Sequence, residues 1–250
     1  MPDKPLSSIH DLSCYTVDRK IDSRKNDVYL LKTSKTGEEE KYLIYKKYSD
    51  PDKLPVEKEM LTLLHNKKVA VPQIYDIGDG YMLLEYLGGA LLLDFFCWQE
   101  NIRGAVDDAL CEPSYQIIYS LCSWFRDFYA ALHEADGRQL IMGDVNFRNF
   151  IIREKIYGMD LEECREGKIE EEIGSFCAFA LTYSPSFTPW KSAMVKEMLR
   201  VFSEEMQLDL PDLKEEIRKS LSGLSQRRQF ADETNKRRLF DFMQKGVDFI

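Results

Sequence analysis

The chain has no long apolar run. A membrane-crossing helix needs about 18 uncharged apolar residues in succession. The richest stretch here, Tyr81 to Trp98, is broken by Glu85 and Asp94 and carries two glycines. No membrane span is therefore expected. The opening Met-Pro-Asp-Lys-Pro lacks the apolar centre of a secretion signal. The six cysteines, at 14, 97, 111, 122, 164 and 177, include no C-x-x-C pair. They read as reduced, mostly buried thiols of a cytoplasmic protein. Positive charge is also scarce: 34 Lys and Arg stand against 43 Asp and Glu, a net charge of −9. That balance argues against a general nucleic-acid binder.

What is present suffices for a folded protein. With 250 residues, 44% hydrophobic and 12% aromatic, the chain can form one large domain or two lobes around a shared cleft. After a polar opening with a short strand at Tyr15–Val17, residues Asp27–Thr33 alternate as a strand. A turn at Ser34–Glu38 returns the chain through a partner strand, Lys41–Tyr48. A helix is predicted to start near Pro55, with Val56, Met60, Leu63 and Leu64 as its apolar stripe. A Pro-led strand, a Gly-Asp-Gly turn and a buried strand ending in Glu-Tyr-Leu-Gly-Gly follow over residues 69–89. Beyond them the sequence turns helical. Leu91–Gln99 begins this part, and Ser114–Glu134 is amphipathic, with Ile117, Ile118, Leu121, Phe125, Phe128 and Leu132 inward. Two or three further helices are predicted over 190–250, broken at Pro211, with basic residues at 227, 228 and 236–238 near the end.

The most informative stretch is Leu140 to Ile152. Asp144 and Asn149 lie five positions apart in a polar loop between apolar runs, and Asp160-Leu161-Glu162 follows behind another short strand. Loops between paired strands can aim such side chains at one point. Asp and Asn oxygens are hard ligands, suited to Mg²⁺ bound together with substrate phosphates. This is the D-x-x-x-x-N … D arrangement of kinase-type phosphoryl transfer.

On these residues the chain resembles the protein-kinase-like phosphotransferases, and is most similar to the aminoglycoside and choline phosphotransferase branch and the small atypical kinases near it. The likeness covers roughly residues 20–185, in five ordered blocks around 42–48, 56–64, 69–89, 140–152 and 157–162. It implies an α+β, two-lobed kinase-like fold. A small antiparallel-sheet lobe with one helix (1–87) would bind nucleotide, and a larger, mainly helical lobe (88–250) would carry catalysis and the acceptor. The implied activity moves the γ-phosphate of ATP, with Mg²⁺, to a hydroxyl of a small molecule or sugar. An atypical protein kinase and a kinase-like scaffold without turnover are the alternatives.

The resemblance also implies residue roles. Lys46, with Lys47 as its competitor, would contact the α- and β-phosphates, held by Glu59, with Glu57 as the alternative. The hinge around Glu85 and Leu87 would pair with adenine through backbone groups. Asn149 and Asp160 would hold Mg²⁺, and Glu162 would add a second metal or water contact. Asp144 would accept or orient the acceptor hydroxyl. Three departures stand out. Met142 occupies the usual His position of the catalytic loop, so Phe147 or Phe150 must hold the loop by packing. Residues 21–26, the nucleotide-covering loop, contain no glycine, although Ser23 or Lys25 remain available to phosphate. Glu172 stands where an Asp usually ties the catalytic loop down.

Overall fold

The computed structural model describes residues 14–33, 40–103, 109–227 and 237. It is an α+β structure: a small antiparallel sheet with one helix, followed by a mainly helical remainder. Five strands form the sheet in the order β1-β2-β3-β5-β4, with β1 Tyr15–Ile21, β2 Asp27–Thr33, β3 Tyr42–Lys47, β4 Ile74–Gly78 and β5 Tyr81–Glu85. Strand β1 runs four residues past the predicted Val17. It is the sheet's edge and exposes most of its side chains, so its sequence lacks the alternation that marks a half-buried strand.

Helix α1 (Lys53–Asn66) connects β3 to β4 and buries Glu57, Met60, Leu61 and Leu64. Its start precedes Pro55 by two residues, which leaves the ring in the first turn, where its missing N–H costs nothing. Leu61 is fully buried, whereas Val56 and Leu63 are only partly covered.

The longest helix among the described residues is α3 (Glu112–Asp136). Pro113 sits at its start and Gly137, left-handed at φ 73°, caps its end. Five of the six residues expected inward are buried; Ile117 is half-buried. The other helices of the helical part are α2 (Leu92–Arg103), α4 (Ile169–Thr182), α5 (Pro189–Met206) and α6 (Leu210–Arg227); α5 packs on α3, and α6 on α4. One hydrophobic core is continuous from α1 through α3 to α4–α6 and includes Met60, Leu64, Phe125, Phe128, Phe176 and Phe202. Among the described residues no helix is long and apolar enough to cross a membrane. No disulfide joins the cysteines. Only Cys122 and Cys177 are fully buried, the other four being partly covered. The basic cluster near the end falls almost wholly outside the described residues.

Short strands serve as mounts. β6 (Ala90–Leu91) precedes α2, while β7 (Leu140–Ile141), β8 (Phe150–Ile152), β9 (Ile156–Gly158) and β10 (Arg165–Glu166) lie between α3 and α4. β8 pairs with β6 and β9, and β7 pairs with β10. The loop of Asp144 and Asn149 thus leaves one small sheet and enters another, and Asp160 follows the second within two residues.

A candidate nucleotide and metal site around Lys46

Lys46 is the centre of the site. It pairs across the sheet with Val28 and Met82, and its side chain is only 8% exposed. Its ammonium lies 2.6 Å from Glu57 Oε2, 2.6 Å from Asp160 Oδ1 and 2.9 Å from Glu162 Oε2. Lys47 beside it is exposed, as strand alternation requires of neighbours. The partner on α1 is Glu57; Glu59, expected in that role, is exposed. The reason is helical register. Glu57 shares the i, i+3, i+7 face of Met60 and Leu64, whereas Glu59, two positions on, points to nearly the opposite side.

Glu57 is gripped by more than the lysine. Its Oε2 accepts from the Tyr48 hydroxyl at 2.6 Å, and its Oε1 accepts from the Leu161 backbone N–H at 3.3 Å. Burial alone would push Lys46 down, but Glu57, Asp160 and Glu162 outweigh it and hold the ammonium above its ordinary value. Three carboxylates sharing one ammonium leave a surplus of negative charge. Burial, with repulsion from Asp160, accordingly raises Glu57 despite Lys46.

The loop of residues 142–149 is fixed from several sides. Gly143 has φ +81°, and a Cβ there would lie 2.3 Å from the Glu163 carbonyl oxygen, so only glycine fits between the loop and the acidic segment. Asn146 caps the short 3-10 turn Phe147–Asn149 by accepting from the Arg148 N–H at 2.9 Å. The Asn149 amide donates to the Asp144 carbonyl at 2.7 Å, which leaves its amide oxygen at the other end. A backbone bond from the Met159 N–H to the Asn149 carbonyl, 2.9 Å, ties the loop to the residue before Asp160. Asp160 itself is left-handed, at φ 63°, a conformation Asp tolerates better than most residues.

Met142, Phe147 and Phe150 are all buried. Packing by both phenylalanines accompanies a polar anchor, because Glu172 accepts from the Gly143 N–H at 2.9 Å and from the Tyr129 hydroxyl at 2.8 Å. Burial drives the Glu172 carboxyl up to about 7, against the bonds it accepts from Met142, Tyr129 and Gly143.

Two residues with no expected role belong to the same constellation. The Asn26 amide donates to Glu162 at 2.6 Å, and its oxygen accepts from the Ser49 N–H at 3.1 Å. Glu163 holds Lys53 at 2.6 Å and Lys25 at 2.9 Å, and Lys25 lies 3.6 Å from Asp144. The first ends the loop expected to cover the nucleotide, but nothing in the sequence marks its partner. The second sits directly beside the D-x-E motif.

At the proposed hinge, the Glu85 N–H is donated to the Gln73 carbonyl, and its carboxylate faces the Gln73 N–H and Arg153. Its N–H and its carboxylate are thus both engaged within the fold. Leu87 is buried. Gly89, at φ +81°, passes so close to β8 that a Cβ would lie 2.4 Å from the Ile152 carbonyl oxygen.

Oxygen ligands are therefore concentrated here. Glu57, Asp160 and Glu162 present carboxylate oxygens within 4.8 Å of one another, but the Lys46 ammonium already engages all three. Of these, Asp160 is the one with an exposed side chain, at 42%, and could turn to a divalent cation; the Asn149 amide oxygen, on the loop bonded to its neighbour, is a second candidate donor. Both are hard oxygen donors, as Mg²⁺ requires. Glu162, buried between Lys46 and Asn26, is less able to turn outward. No family model matches the chain, and no curated protein matches it either.

Proposed function

We propose that this protein is an ATP- and Mg²⁺-dependent phosphotransferase with a two-lobed, kinase-like arrangement, acting on a hydroxyl of a small molecule or sugar in the cytoplasm. One observation carries the reading. A strand lysine, Lys46, is held by a helix glutamate, Glu57, and meets Asp160, and a backbone bond joins the residue before Asp160 to Asn149. Those four side chains come from four separate elements, and phosphoryl transfer needs that combination of a fixed cation and oxygen donors around a polyphosphate.

In this reading Lys46 orients the α- and β-phosphates and Glu57 keeps its ammonium in place. Asn149 and Asp160 hold the metal, which supplies charge neutralisation at the phosphates. Asp144, 42% exposed, receives the acceptor hydroxyl and takes or orients its proton, while the loop bonds of Asn149 and Glu172 hold it still. The carbonyl of Glu85 and the backbone of Leu87 border the adenine.

A second reading, a kinase-like scaffold without turnover, draws on one observation: Lys46 and Asn26 already saturate Glu162. Asp144→Asn separates the two. An enzyme keeps its Mg²⁺-ATP affinity in this variant and loses phosphoryl transfer by ~10²-fold or more, scored as phosphate release or acceptor labelling. A scaffold shows no transfer in the parent and no change in the variant.

A further inference from the structure

Resting on the phosphotransferase reading, the geometry points to Lys25 as the group that binds the terminal phosphate of the nucleotide, directly in front of Asp144. The loop joining β1 to β2 contains no glycine, yet its backbone is fixed at this lysine and at the next residue, whose N–H also donates to Ser23 Oγ at 3.3 Å. The Ser49 hydroxyl donates to the Lys25 carbonyl at 2.6 Å, and Asn26 is tied to Ser49 and to Glu162. That anchoring carries the Lys25 side chain across to the acidic segment and the catalytic loop. Its ammonium lies 2.9 Å from Glu163 Oε1 and 3.6 Å from Asp144 Oδ2.

Two features suit Lys25 to exchange partners. Its side chain is 54% exposed, and ion pairs in such surroundings contribute little. Glu163 also keeps a second cation, Lys53, at 2.6 Å, so Lys25 can leave without stranding a carboxylate. A terminal phosphate brings more negative charge and more acceptor oxygens than one carboxylate, and it must approach Asp144 if Asp144 faces the acceptor. Two anions side by side repel, and a lysine between them removes that repulsion. Lys46 cannot do this, because it is enclosed by Glu57, Asp160 and Glu162. The only basic residue of the catalytic loop itself is Arg148, whose side chain is exposed.

The test compares affinities for ADP and for a non-hydrolysable imido analogue of ATP, both with Mg²⁺, by calorimetric titration. Four proteins are needed: the parent, Lys25→Met, Lys25→Arg and Arg148→Met. The parent should prefer the triphosphate, and Lys25→Met should weaken that ligand roughly 10-fold or more while leaving ADP within about two-fold. Lys25→Arg should restore much of the preference, and Arg148→Met should keep it. Equal loss for both nucleotides makes Lys25 a structural strap and overturns the assignment, as does no loss, or a preference erased by Arg148→Met instead. A parent that binds neither nucleotide overturns the phosphotransferase reading, and this assignment falls with it.

Discussion

Lys46 and Lys25 both meet the acidic segment 160–163, in opposite surroundings. Lys46 takes Asp160 and Glu162 from inside, 8% exposed and with Glu57 as a third partner. Lys25 takes Glu163 from outside, 54% exposed, with Asp144 further off. Side chains on one short stretch thus serve a fixed post and an open, exchangeable pair. Burial decides which is which. A desolvated charge cannot be released without leaving its partners uncompensated, whereas a solvated one can.

The largest expected effect breaks the buried post. Lys46→Met leaves Glu57 and Glu162 enclosed with no cation, and should destabilise the protein by ~3–5 kcal/mol in urea denaturation. Lys25→Met in the same assay should cost no more than ~1 kcal/mol. Similar losses in the two variants would contradict the comparison.

Next in size is a pH effect at the loop of residues 142–149. Burial raises Glu172 from its ordinary value of 4.5 to about 7, so in that window the folded state holds a proton that the unfolded state has lost. Stability from this group is complete below about 4.5 and falls as pH rises through 7, by on the order of 3 kcal/mol. The groups facing it are the Tyr129 hydroxyl, the Met142 and Gly143 N–H groups, Cys164 and Arg165. Glu172→Gln should flatten that slope when unfolding is measured at pH 5 and pH 8; an unchanged slope would assign it to other groups.

The smallest effect sharpens the choice of helix partner. Glu59→Gln should stay within ~0.5 kcal/mol of the parent, as an exposed substitution does, while Glu57→Gln removes the charge that Lys46, Tyr48 and Leu161 all contact. A larger loss in Glu59→Gln would reverse the assignment.

Much of this was legible in the sequence where periodicity was strong. The β2–β3 hairpin follows from alternating strands. Alternation also put Lys46 and Lys47 on opposite faces, but the choice of Lys46 came from the motif pattern, and its burial is what the structure adds. The Glu57 position was legible too, since it shares the stripe of Met60 and Leu64, but motif spacing pointed to Glu59 instead. The full length of β1 was not, because an exposed edge strand carries no burial pattern. Asn26 and Glu163 were hidden for another reason. The bond from Asn26 to Glu162 spans 136 positions and that from Lys53 to Glu163 spans 110, and no local pattern encodes such meetings. Glu172, by contrast, was suspected from its place after the acidic motif, and its grip on Gly143 is a contact across 29 positions.

The most direct measurement of the central claim is a calorimetric titration of the parent and Asp160→Ala with ATP, each with Mg²⁺ and with the metal chelated. The account predicts that the parent binds ATP only when Mg²⁺ is present and that Asp160→Ala, folded by circular dichroism, loses this binding. A parent that ignores Mg²⁺-ATP, or an Asp160→Ala variant that binds it as the parent does, would contradict the account.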